Sequence, residues 1–212
     1  MTQNSIARNA ASRTSTVGRT RAATRVEPRI ETHVEPGTET HVEPGTETRY
    51  TLWTSPLGEI LLTFDADAGT AASQRLTGLY FDGQKDRPPV APHWRRAGDD
   101  PLARRVVAQL ERYFGSGDAG FDVPVGLAGT AFQQRVWQAL CGIAPGDTVT
   151  YGELARRIGA PRAVRAVGAA IGRNPVSIIV PCHRVVGHDG SLTGYAGGLA
   201  RKRHLLRHEG VA

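Results

Sequence analysis

Pro181-Cys182-His183-Arg184 directly follows the apolar run Val176-Ser177-Ile178-Ile179-Val180. It places a sulfur nucleophile beside an imidazole that can serve as a base. A thiol at its ordinary pKa is only slightly ionised at neutral pH, so an imidazole that takes its proton or stabilises the anion raises its reactivity. Pro181 fixes its own φ and restricts the residue before it. The apolar run reads as a short buried strand that ends at the cysteine and aims the thiol. Taken alone, the pair also fits a small buried residue with a surface histidine next to it.

Around this pair the chain divides into recognisable elements. Tyr50–Thr54 and Ile60–Phe64 are β-rich runs joined by Ser-Pro-Leu-Gly, and Leu76–Phe81 is a third, which predicts an antiparallel meander. Leu102, Val106, Val107, Leu110 and Phe114 recur at helical spacing up to Gly115. Phe121–Leu127 reads as a connection. From Thr130, a cap residue, Phe132, Val136, Trp137 and Leu140 share one helical face, so Cys141 is a packing residue. A short helix over Tyr151–Ile158, a Gly159-Ala160-Pro161 turn and a second helix from Arg162 to Ile171 form a helix-turn-helix. That second helix is smooth: Ala163, Ala166, Gly168, Ala169 and Ala170 surround Arg162 and Arg165. Such a surface suits either close approach to a narrow nucleic-acid groove or tight core packing.

Composition sets the outer limits. The 212 residues suffice for one or two domains with a sizeable core. Only Cys141 and Cys182 are present, so neither a disulfide framework nor a cysteine-rich zinc site is expected, and a reducing, cytoplasmic setting follows. No apolar stretch approaches the roughly 18 residues that span a bilayer, and no secretory signal is evident, so no membrane partner is expected. The net charge of +6 is unevenly spread: residues 1–49 carry seven Arg against six Glu, residues 50–130 eight basic against ten acidic, and residues 131–212 eleven basic against four acidic. The positive field therefore belongs to the cysteine-bearing third, where a polyanion is the natural partner.

Residues 1–48 read as a disordered tail. They hold few large apolar residues, and Glu31-Thr-His-Val-Glu-Pro-Gly-Thr38 is repeated as Glu39-Thr-His-Val-Glu-Pro-Gly-Thr46, a unit that cannot bury a core. The Arg-rich first 25 residues also have the composition of an organelle transit segment. The expected fold class is α+β: a small N-terminal antiparallel-sheet and helix domain, then a helical helix-turn-helix (winged-helix-like) domain, with order beginning near Arg49.

Arg165-Ala-Val-Gly168, Arg173-Asn174-Pro175, Ile179-Val-Pro-Cys-His-Arg-Val185, Gly194-Tyr195-Ala-Gly-Gly198 and His208-Glu209-Gly210 resemble, in order and spacing, the motifs of the O6-alkylguanine-DNA alkyltransferases, the methylated-DNA–protein-cysteine methyltransferases. The resemblance covers roughly residues 50–212. It implies a ribonuclease H-like α/β domain over 49–122 and a DNA-binding alkyltransferase domain over 123–212. It also implies irreversible, single-turnover transfer of an alkyl group from O6-alkylguanine in double-stranded DNA to Cys182, by a monomer and without a cofactor or metal.

Residue by residue, the resemblance makes His183 and Glu209 a relay that takes the thiol proton through water. Asn174 ties the recognition helix to the active-site segment, and Tyr151 donates to the leaving guanine, whose developing charge a placed donor stabilises. The carbonyls of Cys182 and Val185 and the loop Tyr195, Ala196, Gly197 and Gly198 line the base pocket. Ala196 departs from relatives with a hydroxyl there, which bears on substrate and inhibitor range. The nucleotide must flip out to reach the thiol; Arg165 then fills the vacated stack, while Arg162, Ala163, Val164, Ala166 and Gly168 face the minor groove. Three other readings remain distinct: a damage sensor, which would replace Cys182; a helix-turn-helix regulator, which needs a more polar recognition helix; and a cysteine hydrolase, for which adjacent Cys182 and His183 are poorly placed.

Overall fold

The computed structural model describes residues 30–31, 47–66, 74–117 and 119–211. The elements of its first half are β1 (Ile30–Glu31), β2 (Glu47–Ser55), β3 (Gly58–Ala66), β4 (Leu76–Phe81), β5 (Arg95–Arg96), α1 (Pro101–Ser116) and β6 (Val125–Gly126). Then come α2 (Ala131–Cys141), β7 (Val149–Thr150), α3 (Tyr151–Arg157), α4 (Val164–Gly172), a 3-10 turn at Cys182–Arg184, β8 (Val185–Val186) and α5 (Leu199–His208). The class is α+β, as expected.

Strands β2, β3 and β4 form the expected antiparallel meander. Ser55 and Gly58 face each other across the two-residue Pro56-Leu57 loop, where Gly58 takes φ +103°, a conformation with no Cβ penalty for glycine. The sheet is larger and more mixed than the sequence implied: its order is β1-β6-β4-β3-β2-β5, and β1, β5 and β6 join it in parallel pairings. Thus Val125–Gly126, inside the segment read as a connection, completes the sheet, and the chain leaves it only after residue 126. Two-residue strands carry too little alternation to be read from sequence.

The tail expectation is amended in two places. Ile30–Glu31 pair with β6, and the first strand of the meander begins at Glu47 rather than near Arg49. Residues 1–29 and most of the repeat, 32–46, lie outside the described residues.

Helix α1 starts where Asp100 accepts from the backbone N–H groups of Leu102 and Ala103 at 2.8 and 3.2 Å, with Pro101 at the first helical position. It runs past Gly115 and stops at Gly117, whose φ of +73° returns its N–H to Tyr113 O. Leu102, Val106, Leu110 and Tyr113 bury against Ile60, Leu62, Phe64, Leu76 and Phe81. The same core continues without a break into Val136, Trp137, Leu140, Val167 and Val180 of the second half. Helix α2 opens with a reciprocal Thr130–Gln133 capping box, and Trp137 Nε1 donates to Ala170 O at 2.9 Å, fixing α2 on α4.

Two elements of the second half differ from the sequence reading. The second helix of the pair starts at Val164, with Ala163 as its cap and Arg162 in the preceding turn. The segment Val176–Val180 is not a strand. Apart from one bridge between Val176 and Leu79 it is a tight, buried turn, and Ile178 sits at φ +69°. An apolar run reports burial, not hydrogen-bond pattern. Here the pattern is set by the side chain of Asn174.

Candidate active site

Asn174 Oδ1 accepts from Val176 N–H at 3.0 Å, while Nδ2 donates to Val180 O at 2.8 Å and to Val176 O at 3.4 Å. One buried amide thus replaces the neighbour that a strand would have needed, and the turn closes around it. The same Nδ2 lies 3.1 Å from Cys182 Sγ. A β-branched residue at positive φ costs about 1–3 kcal/mol and persists only where its surroundings over-determine it; Asn174 and the bridge to β4 do so at Ile178. That bridge is explicit: Leu79 N–H donates to Pro175 O at 2.8 Å and Ser177 N–H to Leu79 O at 3.1 Å. The central sheet therefore carries the cysteine turn on the remaining edge of β4.

Cys182 is buried, and burial pushes its thiol pKa up; the Asn174 hydrogen bond and the charge of Lys202 act against that rise. Lys202 is itself fully buried. Its Nζ donates to Val185 O at 2.5 Å and to Thr193 O at 2.8 Å, and burial brings its pKa down to about 8. Nothing in the sequence separates Lys202 from its neighbours Arg201 and Arg203; only packing reveals it as the buried member.

His183 does not hydrogen-bond the sulfur directly. Its imidazole is fully buried, with Nε2 2.9 Å from Glu209 Oε1. Burial pulls the His183 pKa down. Burial alone would raise Glu209, yet hydrogen bonds from Arg184 and His183 hold it well below the usual carboxylate range. Arg184 is bidentate, Nε to Oε2 and Nη2 to Oε1, both at 2.8 Å, and its Nη1 donates to Ile143 O. Tyr113 of α1 donates a further 2.8 Å bond to Oε1. An ionised Glu209 only accepts, so Nε2 carries the proton and Nδ1, which has no hydrogen-bond partner among the described residues, presents its lone pair. Arg184 and Tyr113 were not singled out in the sequence. Arg184 stood within the motif, whereas Tyr113 is 96 residues from its partner and gave no local signal.

The remaining named residues fall around this centre. Tyr151, first in α3, places its hydroxyl 3.2 Å from Thr193 O, and burial raises its pKa. Val185 begins β8, which pairs with β7 just before Tyr151. The loop Tyr195–Gly198 leads into α5. Gly197 is pressed so closely that a Cβ would lie 2.8 Å from the Tyr195 ring and 3.1 Å from Phe81.

On α4, Val167, Ala170 and Ile171 are buried, whereas Val164, Arg165, Ala166 and Ala169 are exposed, as is Arg162 before it. Ala163 and Gly168 are half-buried, and Gly168 lies against the Tyr151 ring. The small-residue surface is thus split: one face packs in the core and the other, with Arg165, faces solvent. Among the described residues no group of three or more His, Cys, Asp or Glu side chains is arranged to hold a metal ion, and no helix is long and apolar enough to cross a membrane.

The family model described as 6-O-methylguanine DNA methyltransferase, DNA binding domain, matches residues 131–211. The methylated-DNA–protein-cysteine methyltransferase of Haemophilus influenzae is 44% identical over 163 residues, covering 76% of this chain and 86% of that protein. Its counterpart in Mycobacterium bovis is 55% identical over 122 residues, covering 57% of this chain and 72% of the relative. Among solved structures, that of Mycobacterium tuberculosis OGT in complex with DNA superposes with a TM-score of 0.64 at 47% identity, covering 77% of this chain and 92% of the other. The chain belongs to the methylated-DNA–protein-cysteine methyltransferase family.

Proposed function

We propose that this protein repairs O6-alkylguanine in double-stranded DNA by moving the alkyl group onto Cys182, once per molecule. The S–C bond forms as the C–O6 bond breaks, and the thiol proton passes through a water to His183 Nδ1. The guanine leaves as an anion and takes a proton through Tyr151, which regains one from solvent while the imidazolium releases its own, so protons and charge balance. Glu209 holds the imidazole in the tautomer that leaves Nδ1 free and stabilises the imidazolium that forms. Lys202 and Asn174 favour the thiolate. The product is a thioether without a good leaving group, which makes the reaction irreversible.

DNA engagement follows from the exposed face of α4. Ala166 on that face, with the half-buried Ala163 and Gly168 flanking it, allows close approach to the minor groove, Val164 gives an apolar contact, and Arg165 occupies the space left by the flipped nucleotide. Tyr151 donates to the leaving base, and Val185 with Tyr195–Gly198 surrounds it. The observation that carries this reading is a buried Nδ1, without a hydrogen-bond partner among the described residues, on a Glu209-oriented histidine adjacent in sequence to a cysteine whose sulfur Asn174 touches.

The test is the intact mass of the protein after mixing with a duplex containing O6-methylguanine. A single methyl gained, mapped to Cys182 and absent from Cys182→Ser, is expected. Tight lesion binding without a mass change would establish a sensor instead.

A further inference from the structure

Arg201 and Lys202 are consecutive residues in the first turn of α5, yet they bind different segments. Lys202 Nζ binds Thr193 O and Val185 O, tying the residues just before the loop to β8. Arg201 reaches the other way. Its Nη1 donates to Gly197 O at 3.1 Å and to Asp82 O at 2.9 Å, and its Nε donates to Leu57 O at 3.1 Å. Its guanidinium also lies 4.9 Å from the centroid of the Phe81 ring. Asp82 and Phe81 stand at the end of β4, and Leu57 lies in the β2–β3 loop. One side chain therefore joins the C-terminal loop to two separate segments of the N-terminal sheet. A second tie runs in parallel, from Lys85 N–H to Ala196 O at 3.2 Å.

The fit leaves the loop little freedom. Gly197 already presses on Phe81, and Gly198 turns at φ +90° into the helix. A planar guanidinium with fixed donor directions can hold three carbonyls from three segments in one arrangement; a lysine cannot.

We propose that Arg201 is a specificity-determining positioning residue: by latching Gly197 to the N-terminal sheet it fixes the wall of the alkyl-base pocket and restricts it to small alkyl groups. This rests on the transfer reading above. Arg201 does not touch the reacting atoms; it acts through the placement of Tyr195–Gly198.

The experiment compares wild type, Arg201→Met and Arg201→Lys on identical duplexes carrying O6-methylguanine or O6-benzylguanine, with amide hydrogen exchange measured on the free proteins. Met keeps the apolar stem over Phe81 and removes every donor; Lys keeps the charge. In Arg201→Met, amides of the 195–198 loop are expected to exchange about tenfold faster while those of α2 are unchanged, as local opening requires. The ratio of benzyl to methyl transfer rates is expected to rise at least ~3-fold in Arg201→Met and by less in Arg201→Lys. An unchanged ratio with wild type active on methylguanine, whether or not exchange accelerates, overturns the latch as a specificity device alone. Wild type inactive on both lesions overturns the transfer reading, and the specificity assignment with it.

Discussion

A thiol buried as deeply as Cys182 needs help to ionise, and the charged group aimed at its surroundings is Lys202. The two titrations therefore pull the rate in opposite directions. On the proposed mechanism, transfer is expected to speed up with rising pH as the thiol gives up its proton to a neutral His183, and to bend over above about pH 8, where Lys202 loses the charge that favours the thiolate. We expect single-turnover rates across this range to show that bend. Lys202→Met should remove it and lower the rate near pH 7 by about tenfold, equivalent to one pKa unit of lost thiolate support. A retained bend in the variant would assign the upper limb to another group.

Helix α1 illustrates how an element distant in sequence completes a site. Asp100 caps its start and forms a 2.8 Å ion pair with Arg49 of β2, and Gly117 ends it, so the register that puts Tyr113 over Glu209 is fixed at both ends. Tyr113→Phe deletes only that donor. The expected cost is about 1–2 kcal/mol in unfolding free energy, measurable by denaturant titration, because Arg184 and His183 still satisfy the carboxylate. With one donor fewer, Glu209 bears more strongly on His183 and raises its pKa. The acid limb of the transfer profile should therefore move to higher pH, since the imidazole stays protonated, and useless as a base, further up the scale. An effect on stability with an unmoved acid limb would reduce Tyr113 to a packing role.

Across the entire chain, charge is segregated: residues 50–130 carry a net −2 and residues 131–212 a net +7. DNA affinity should thus be strongly salt-dependent and belong to the second half. Removing residues 1–46 preserves all of β2 and, of the described pairings, takes away only Ile30–Glu31 on β6. The truncated protein is expected to transfer methyl groups within about twofold of the full chain, because two residues of pairing contribute little to the sheet. A large loss in a stopped-flow transfer assay would place the tail in DNA engagement. The sheet itself is not dispensable in this way, because β4 holds Pro175 and Ser177 and thereby the turn that presents Cys182.

How much of this was legible in the residues depends on the range of the interaction involved. The meander, α1, α2 and the helix pair are local patterns, with apolar spacing, a capping Thr130 and a turn glycine, and they read directly from the chain. Cys182, His183, Asn174 and Glu209 were legible as candidates because they sit in spaced motifs, and Tyr151 through the resemblance those motifs carry. The geometry around them was not. The run before Cys182 reads as a strand, but Asn174 wraps it into a turn, since side-chain amides compete with sheet pairing in ways composition does not encode. Nor could local sequence distinguish Lys202, buried with its ammonium on Val185 O and Thr193 O, from the exposed Arg203. The same holds for Tyr113 donating to Glu209 and for Arg201 spanning to Phe81 and Asp82. The chemistry was written in short segments of chain. Its tuning depends on contacts between residues far apart in sequence, which exist only once the sheet and the helical half share one core.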